Sequence, residues 1–130
     1  MKLLLDTHMA VWWLAGSARL GKRARALIEE NDCAVSAASL IETRFIALTG
    51  KAEIPDVPAI VEHLAKSGIG LVPLMASHIA ESTRFENSHA DIYDRMLLGV
   101  AVVEHRTLLT RDAALLALAK KAKLAFVTEG

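Results

Sequence analysis

Short apolar runs alternate along this chain with longer segments whose apolar residues recur at helical spacing. The short runs span residues 2–5, 33–36, 71–73, 107–110 and 124–128. Because they are mostly apolar without strict alternation, they are predicted to be strands covered on both faces.

The longer segments are predicted to be helices, at residues 19–30, 37–49, 59–67, 92–105 and 112–121. Ile41, Phe45 and Leu48 would form one apolar stripe that faces the core, and Gly50 would end that helix. Residues 92–105 are apolar nearly all round, which predicts a central, covered helix. Alternating strands and helices predict an α/β fold, with a parallel sheet of about five short strands between two layers of helices.

Composition narrows the class of protein. A length of 130 residues predicts one domain over 1–130, and 53% apolar residues indicate a large core together with a surface covered by a partner. Fifteen basic and fifteen acidic residues give no net charge, so any RNA contact must come from local patches, for instance near Arg44, Lys51 and Arg84.

The single cysteine excludes an internal disulfide. No apolar run approaches membrane-spanning length, and we expect a cytoplasmic protein with no membrane partner.

Two acids follow predicted strands. Asp6 comes directly after residues 2–5, and Asp112 lies one residue beyond 107–110. Ligands of open parallel sheets bind outside the carboxyl ends of the strands, so both acids are expected at one edge. The alternative is helix capping, since Asp is a favoured N-cap residue and each acid precedes a plausible helix.

The sequence supports two roles for Glu42 equally well. With Ser39 it matches a capping box, in which the glutamate binds the first amide of the helix. If Ser36 is the cap instead, Glu42 lies deeper in the helix, beside the apolar Phe45 and Ile46, and a carboxylate there needs a partner such as a metal ion.

Asp91 and Asp94 stand three residues apart at the start of the predicted helix 92–105. Asp91 has the position of the cap, and Asp94 lies one turn inside, where the helix dipole favours an acid. Arg95 could form an ion pair with Asp94.

The conjunction of these acids favours a functional interpretation. Clustered carboxylates repel one another, and their pKa values rise unless cations neutralise them. Hard oxygen ligands without Cys or His at ligand spacing indicate Mg²⁺ or Mn²⁺, and such a site suits phosphodiester cleavage. Phosphate-loop, nucleophile-elbow and HExxH motifs are absent. His8 is more typical of a helix surface than of substrate contact. The neighbouring residues Trp12 and Trp13 are more typical of core or interface packing than of base stacking.

Four segments carry a resemblance to a known family. They are Leu-Leu-Asp-Thr-His at 4–8, Ser-Ala-Ala-Ser-Leu-Ile-Glu at 36–42 with Thr-Gly-Lys at 49–51, His-Ala-Asp-Ile-Tyr-Asp-Arg-Met-Leu-Leu at 89–98, and Leu-Leu-Thr-Arg-Asp at 108–112. In this order, over nearly the whole chain, they resemble the PIN-domain ribonucleases, specifically the VapC-type toxins of bacterial toxin–antitoxin pairs. Ile92 departs from the proline that the family commonly has at this helix start.

The resemblance implies a PIN-like three-layer α/β/α fold and an endoribonuclease activity that depends on Mg²⁺ or Mn²⁺. It assigns the metal-binding acids to Asp6, Glu42, Asp94 and Asp112, with Asp91, Thr7 and Thr110 as supporting residues. It also implies an RNA substrate, an antitoxin that blocks the site, and a homodimer.

Two other functions would require sequence features that this chain does not show. A receiver-type signalling domain would need an acid pair near the first strand and a lysine at a late strand end, and this sequence has neither. A non-catalytic RNA-binding or interaction module would be marked by missing acids, and all four are present.

Overall fold

A five-stranded parallel sheet forms the centre of the computed structural model, which describes residues 1–50 and 52–130. The strand order is β3-β2-β1-β4-β5. The strands are β1 (Lys2–Leu5), β2 (Asp32–Ser36), β3 (Gly70–Val72), β4 (Thr107–Thr110) and β5 (Val127–Glu129). The helices are α1 (Thr7–Leu14), α2 (Gly21–Glu30), α3 (Ala37–Leu48), α4 (Val57–Lys66), α5 (Ala76–Ser82), α6 (Ile92–Val103) and α7 (Ala113–Ala122).

Two cores, one on each face of the sheet, confirm the predicted three-layer α/β/α fold. Leu3 and Leu5 of β1 point into the core beneath α1, α2 and α4, whereas Leu4 points into the core beneath α6 and α7. All three side chains are fully buried. A strand covered on both faces therefore explains why the sequence shows an unbroken apolar run instead of alternation.

Most predicted elements are confirmed, with shifts at their ends. β1 and β4 have the predicted bounds, while β5 begins at Val127 because Lys123 adopts a left-handed conformation (φ 56°) and the chain turns there. The predicted helix 19–30 is divided. Residues 18–20 form a separate 3-10 turn, and α2 follows from Gly21, whose φ of 78° interrupts the helix.

The apolar stripe on α3 lies on the outside of the molecule, so its predicted core-facing role is wrong. Ile41, Phe45 and Leu48 are 52%, 57% and 68% exposed. The helix buries its small and hydroxyl-bearing side instead, through Ala38, Ser39 and Thr43. The predicted end of this helix is confirmed, because Gly50 takes a φ of 72° just after the last turn of α3.

Helix α6 is central, as predicted, and a glycine sets its distance from α5. A Cβ atom on Gly99 would overlap with the backbone carbonyl oxygen of His78 in α5. The two helices therefore pack with their backbones in close approach, which fixes the position of α6. Within residues 1–50 and 52–130, no helix combines the length and apolar character needed to cross a membrane.

Candidate active site

The candidate site lies where the strand order changes direction. From β1 the chain builds the sheet first towards β2 and β3, and later on the other side through β4 and β5. A crevice therefore opens at the carboxyl ends of the adjacent strands β1 and β4, the place where open α/β sheets bind ligands. Asp6 follows β1 and Asp112 follows β4, so the sheet brings these two acids to the same edge.

Asp6 is buried and bound by a neighbouring strand. The Thr110 hydroxyl donates to Asp6 Oδ2 at 2.6 Å, and the Asp6 amide donates to the Leu109 carbonyl at 3.0 Å. Asp6 occupies the N-cap position of α1, as the capping alternative predicts, but its side chain makes no capping hydrogen bond. Burial raises its pKa, whereas the Thr110 hydroxyl bond lowers it. A carboxylate held this way needs nearby positive charge to be stable in its ionised form.

Asp112 does cap a helix. Its carboxylate accepts from the Leu115 amide at 2.9 Å at the start of α7. Its own amide donates to Thr110 Oγ1 at 3.0 Å, so one hydroxyl contacts both strand-end acids. Capping does not remove Asp112 from the crevice, because its side chain is exposed there beside Asp6.

The Glu42 carboxylate does not cap α3. The Ser36 hydroxyl caps α3 by accepting from the Ala38 amide at 3.0 Å, which makes the capping box with Ser39 wrong. Glu42 thus lies in the second turn of α3, half-buried. Burial raises the pKa of its carboxyl, the Thr7 hydroxyl lowers it, and the charge of Asp6 raises it.

Asp94 lies in the first turn of α6, with Asp91 as the predicted cap. The Asp91 carboxylate accepts from the Asp94 amide at 3.0 Å. Arg95 does not pair with Asp94; its guanidinium donates to the carbonyls of His89 and Ala90 at 3.0 and 3.1 Å. This contact holds the loop before α6 against the helix.

His89 is the partner of Asp94, with Nε2 and Oδ2 2.7 Å apart. Burial raises the pKa of Asp94 to about 6, the His89 bond lowers it, and the charges of Asp91, Asp6 and Asp112 raise it. His89 was not predicted as a site residue from the sequence, although it stands in the motif at 89–98. The signal was its position five residues before Asp94, where a loop can fold back over the first turn of the helix.

Asp6 lies within range of the charges of the other three acids. Asp6 raises the pKa of both Glu42 and Asp94, and Asp112 raises the pKa of both Asp6 and Asp94. Of the supporting residues, Thr110 bonds to Asp6, and Thr7 lies 2.8 Å from the Ser39 hydroxyl at the contact between α1 and α3.

The donor chemistry fits a hard divalent cation. The four groups are carboxylates, and three of them have raised pKa values, so a cation that neutralises them would be stabilised in return. As placed, no three Asp, Glu, His or Cys side chains in the described part of the chain converge on one point. Asp94 is hydrogen-bonded to His89, and Asp112 accepts from the Leu115 amide of α7.

The cationic residues expected to contact RNA are distributed unevenly. Arg84 pairs with Glu81 at 3.3 Å and lies over Phe85, whereas Arg44 borders the exposed stripe of α3. Lys51 lies outside the described residues. A cleft of about 250 Å³ adjoins the acids themselves, lined by Asp6, His8, Met9, Trp12, Arg111 and Asp112.

Comparisons with known proteins agree with this fold. The family model of the PIN domain matches residues 3–130. Ribonuclease VapC22 of Mycobacterium tuberculosis is 30% identical over 119 residues, covering 87% of this chain and 88% of that protein. The structure of DNA-bound VapBC from Salmonella typhimurium matches with a TM-score of 0.65 at 16% identity, covering 100% and 97% of the two chains. VapBC2 from Rickettsia felis, bound to a DNA fragment from its promoter, matches with a TM-score of 0.64 at 16% identity, covering 100% and 98%.

Proposed function

The chain belongs to the PIN domain family, and from this membership and from the acids around Asp6 we propose that it is a metal-dependent endoribonuclease that acts as the toxin of a toxin–antitoxin pair. Residues 1–130 would form a single PIN-like domain. The relative named ribonuclease VapC22 supports RNA as the substrate. The similar folds solved as VapBC complexes support an antitoxin as the partner.

One finding carries the proposal: acids from distant parts of the chain lie within range of the charge of Asp6 at the end of β1, since Asp6 raises the pKa of Glu42 and Asp94, and Asp112 raises the pKa of Asp6. Such a concentration of negative charge is costly for the fold and would repel RNA. It becomes useful once a cation is bound. A receiver domain does not need four acids, and a binding module that contacts phosphates would avoid them.

Asp6, Glu42, Asp94 and Asp112 would hold Mg²⁺ or Mn²⁺. When bound, such ions activate a water molecule and stabilise the leaving oxygen of an in-line phosphodiester cleavage.

The surrounding residues keep the acids in place. The Thr110 hydroxyl favours the ionised form of Asp6, and His89 does the same for Asp94. Asp91 fixes the first turn of α6 and thereby the backbone that carries Asp94. We propose these as positioning roles.

The test is RNA cleavage by the purified chain. Total RNA is incubated with wild type in Mg²⁺, in Mn²⁺ or in excess EDTA, and with Asp94→Asn in Mg²⁺. We expect cleavage with either ion, none in EDTA, and a loss of at least about 100-fold for the variant, because a lost ligand weakens metal binding strongly. Glu30→Gln, an exposed acid at the end of α2, is the matched control.

Two results would contradict the proposal. Cleavage at the wild-type rate in EDTA would exclude the metal mechanism, and a fully active Asp94→Asn enzyme would exclude that residue as a ligand. Circular dichroism of the variant must show the wild-type fold, so that a loss of activity reports chemistry and not unfolding.

We also propose that the chain forms a homodimer through the exposed stripe of α3, defined by Ile41, Phe45 and Leu48. Adjacent exposed apolar side chains of this size are uncommon on a monomer surface and mark protein contacts. The stripe borders an open groove that Arg44, Val57 and Tyr93 also line.

A further inference from the structure

The cleft beside Asp6 and Asp112 contains groups that the proposed metal site does not use. Two turns of α1 contribute His8 and Trp12, whose ring centroids are 6.0 Å apart. The segment after β4 contributes Arg111. An aromatic ring, an imidazole and a guanidinium therefore line the same cleft as the two strand-end acids.

Arg111 is held in place by contacts that leave its charge available. Its Nη1 donates to the backbone carbonyls of Arg19 and Leu20, and its guanidinium lies over the Trp12 ring, 5.0 Å from the centroid. No carboxylate lies within ion-pair distance of it among residues 1–50 and 52–130. Its remaining N–H donors, on Nε and Nη2, make no hydrogen bond within the described residues.

A second pair of the same kind provides a comparison within the molecule. The Arg25 guanidinium lies over the Trp13 ring, 5.7 Å from its centroid. Both tryptophans pack against the core beneath α1, as the sequence suggested. Of these four side chains, however, Trp12 and Arg111 line the acidic cleft, and Trp13 and Arg25 do not.

We propose that this cleft is a nucleotide-binding subsite for single-stranded RNA, in which a base stacks on Trp12 and an adjacent phosphate binds Arg111. The inference rests on the proposed ribonuclease function and extends it to substrate positioning. Aromatic rings bind unpaired bases by stacking with little dependence on sequence, and guanidinium groups bind phosphate through paired N–H donors. The cleft is below the range of about 300–1,000 Å³ found for drug-sized ligands, which suits one splayed nucleotide and not a duplex.

The subsite also solves an electrostatic problem of the site. RNA approaching Asp6 and Asp112 meets negative charge on a chain with no net charge. Arg111 precedes Asp112 directly in the sequence and contributes a positive charge to the lining of the same cleft. A phosphate bound there is attracted without any general basic surface.

Fluorescence tests the stacking contact, because the chain has two tryptophans. The Asp94→Asn, Trp13→Phe double variant keeps Trp12 alone, and the Asp94→Asn, Trp12→Phe double variant keeps Trp13 alone. Each is titrated in Mg²⁺ with a ten-nucleotide single-stranded RNA of mixed sequence. We expect the RNA to quench Trp12 and to leave Trp13 unchanged. Equal responses, or no response from Trp12 while RNA binds, would overturn the stacking contact.

Binding affinity tests the phosphate contact. In the Asp94→Asn background, Arg111→Gln is expected to raise the Kd for the same RNA about 10-fold and to reduce its salt dependence, with partial recovery in Arg111→Lys. Arg25→Gln, the matched control, should leave Kd unchanged. Thermal melting of each variant separates affinity from folding. A lower melting temperature with an unchanged Kd would assign Arg111 a purely structural role and overturn the subsite.

The subsite and the ribonuclease function fail separately. Wild type that cleaves RNA, with Kd insensitive to Arg111→Gln, would remove the subsite and leave the nuclease. Trp12 quenching and an Arg111-dependent Kd in a protein that cleaves no RNA would leave the subsite as an RNA-binding cleft and remove the nuclease.

Discussion

The Thr110 hydroxyl donates to Asp6 Oδ2 at 2.6 Å, although the two residues stand 104 positions apart in the sequence. The same oxygen accepts from the Asp112 amide at 3.0 Å. A hydroxyl has one proton to donate, so its bond to Asp6 fixes the direction of both contacts. The ends of β1 and β4 are thereby joined through a single atom.

Thr110→Val tests this connection. The isosteric change removes the donor to a buried carboxylate, so we expect a loss of about 1–3 kcal/mol in the free energy of unfolding and a drop of about 10–100-fold in cleavage. Chemical denaturation and RNA cleavage measure the two effects. Thr107→Val, at the start of the same strand, is the control. Equal effects of both variants would show that the strand and not the hydroxyl is responsible.

The raised pKa of Asp94 predicts the pH dependence of stability without metal. Its value of about 6 in the folded state exceeds the ordinary 3.8. Between about pH 4 and pH 6 the Asp94 carboxyl is ionised in the unfolded chain but still protonated in the folded one. The free energy of unfolding therefore decreases as the pH rises through this range. Asp94→Asn should flatten this decrease, as measured by urea denaturation in EDTA. Glu30→Gln should retain the wild-type slope, and an identical slope in Asp94→Asn would contradict the raised pKa.

The same pKa predicts how metal binding responds to acid. A divalent ion binds the ionised carboxylate, so its affinity should decrease as the pH is lowered through about 6. Isothermal titration calorimetry with Mn²⁺ at pH 5 and 7, in buffers of different ionisation enthalpy, measures affinity and proton release together. Binding without proton release at the lower pH would be inconsistent with this prediction.

Glu42→Gln separates the two readings of that residue. Because Ser36 caps α3 and burial raises the Glu42 pKa, removing the charge should not lower the metal-free stability at pH 7. Ser36→Ala should lower it by about 1 kcal/mol. The thermal stabilisation that Mn²⁺ gives to wild type should be reduced in Glu42→Gln. A stability loss in Glu42→Gln as large as that in Ser36→Ala would assign it a helix-stabilising role instead.

Phe45→Ser tests the proposed dimer. The side chain is 57% exposed, so the monomer should keep its fold while the dimer dissociates at a higher protein concentration. Sedimentation velocity over a concentration series measures this. Met75→Ser, which is 55% exposed in front of α5, is the control. A monomeric wild type would overturn the dimer and leave the stripe for the antitoxin.

The sequence predicted best where one physical cause dominates. The short, unbroken leucine runs of β1 and β4 are typical of strands buried on both faces, and the strand ends then place Asp6 and Asp112. It predicted less well where tertiary contacts decide between local alternatives. Whether Ser36 or Ser39 caps α3, and whether Phe45 points inward, depends on how α3 packs on its neighbours.

Helix α5 had no recognisable signal in the sequence. Its N-cap is Met75, whose amide donates to His78 Nδ1 at 2.9 Å, so a histidine takes the part that Glu or Gln plays in the usual capping box. The His89 contact with Asp94 was missed for a related reason. It requires a loop to fold back, and Arg95 holds that loop through two carbonyls.

The pairing of β1 with β4 also determines when the crevice can form during synthesis. Leu3 pairs with Thr107, so the first strand waits for a partner that is made much later than β2 and β3. A strand pair cannot form before its second strand has been synthesised, and pairing between strands far apart in the sequence is intrinsically slow. The crevice between Asp6 and Asp112 is therefore incomplete on any nascent chain that does not yet include β4.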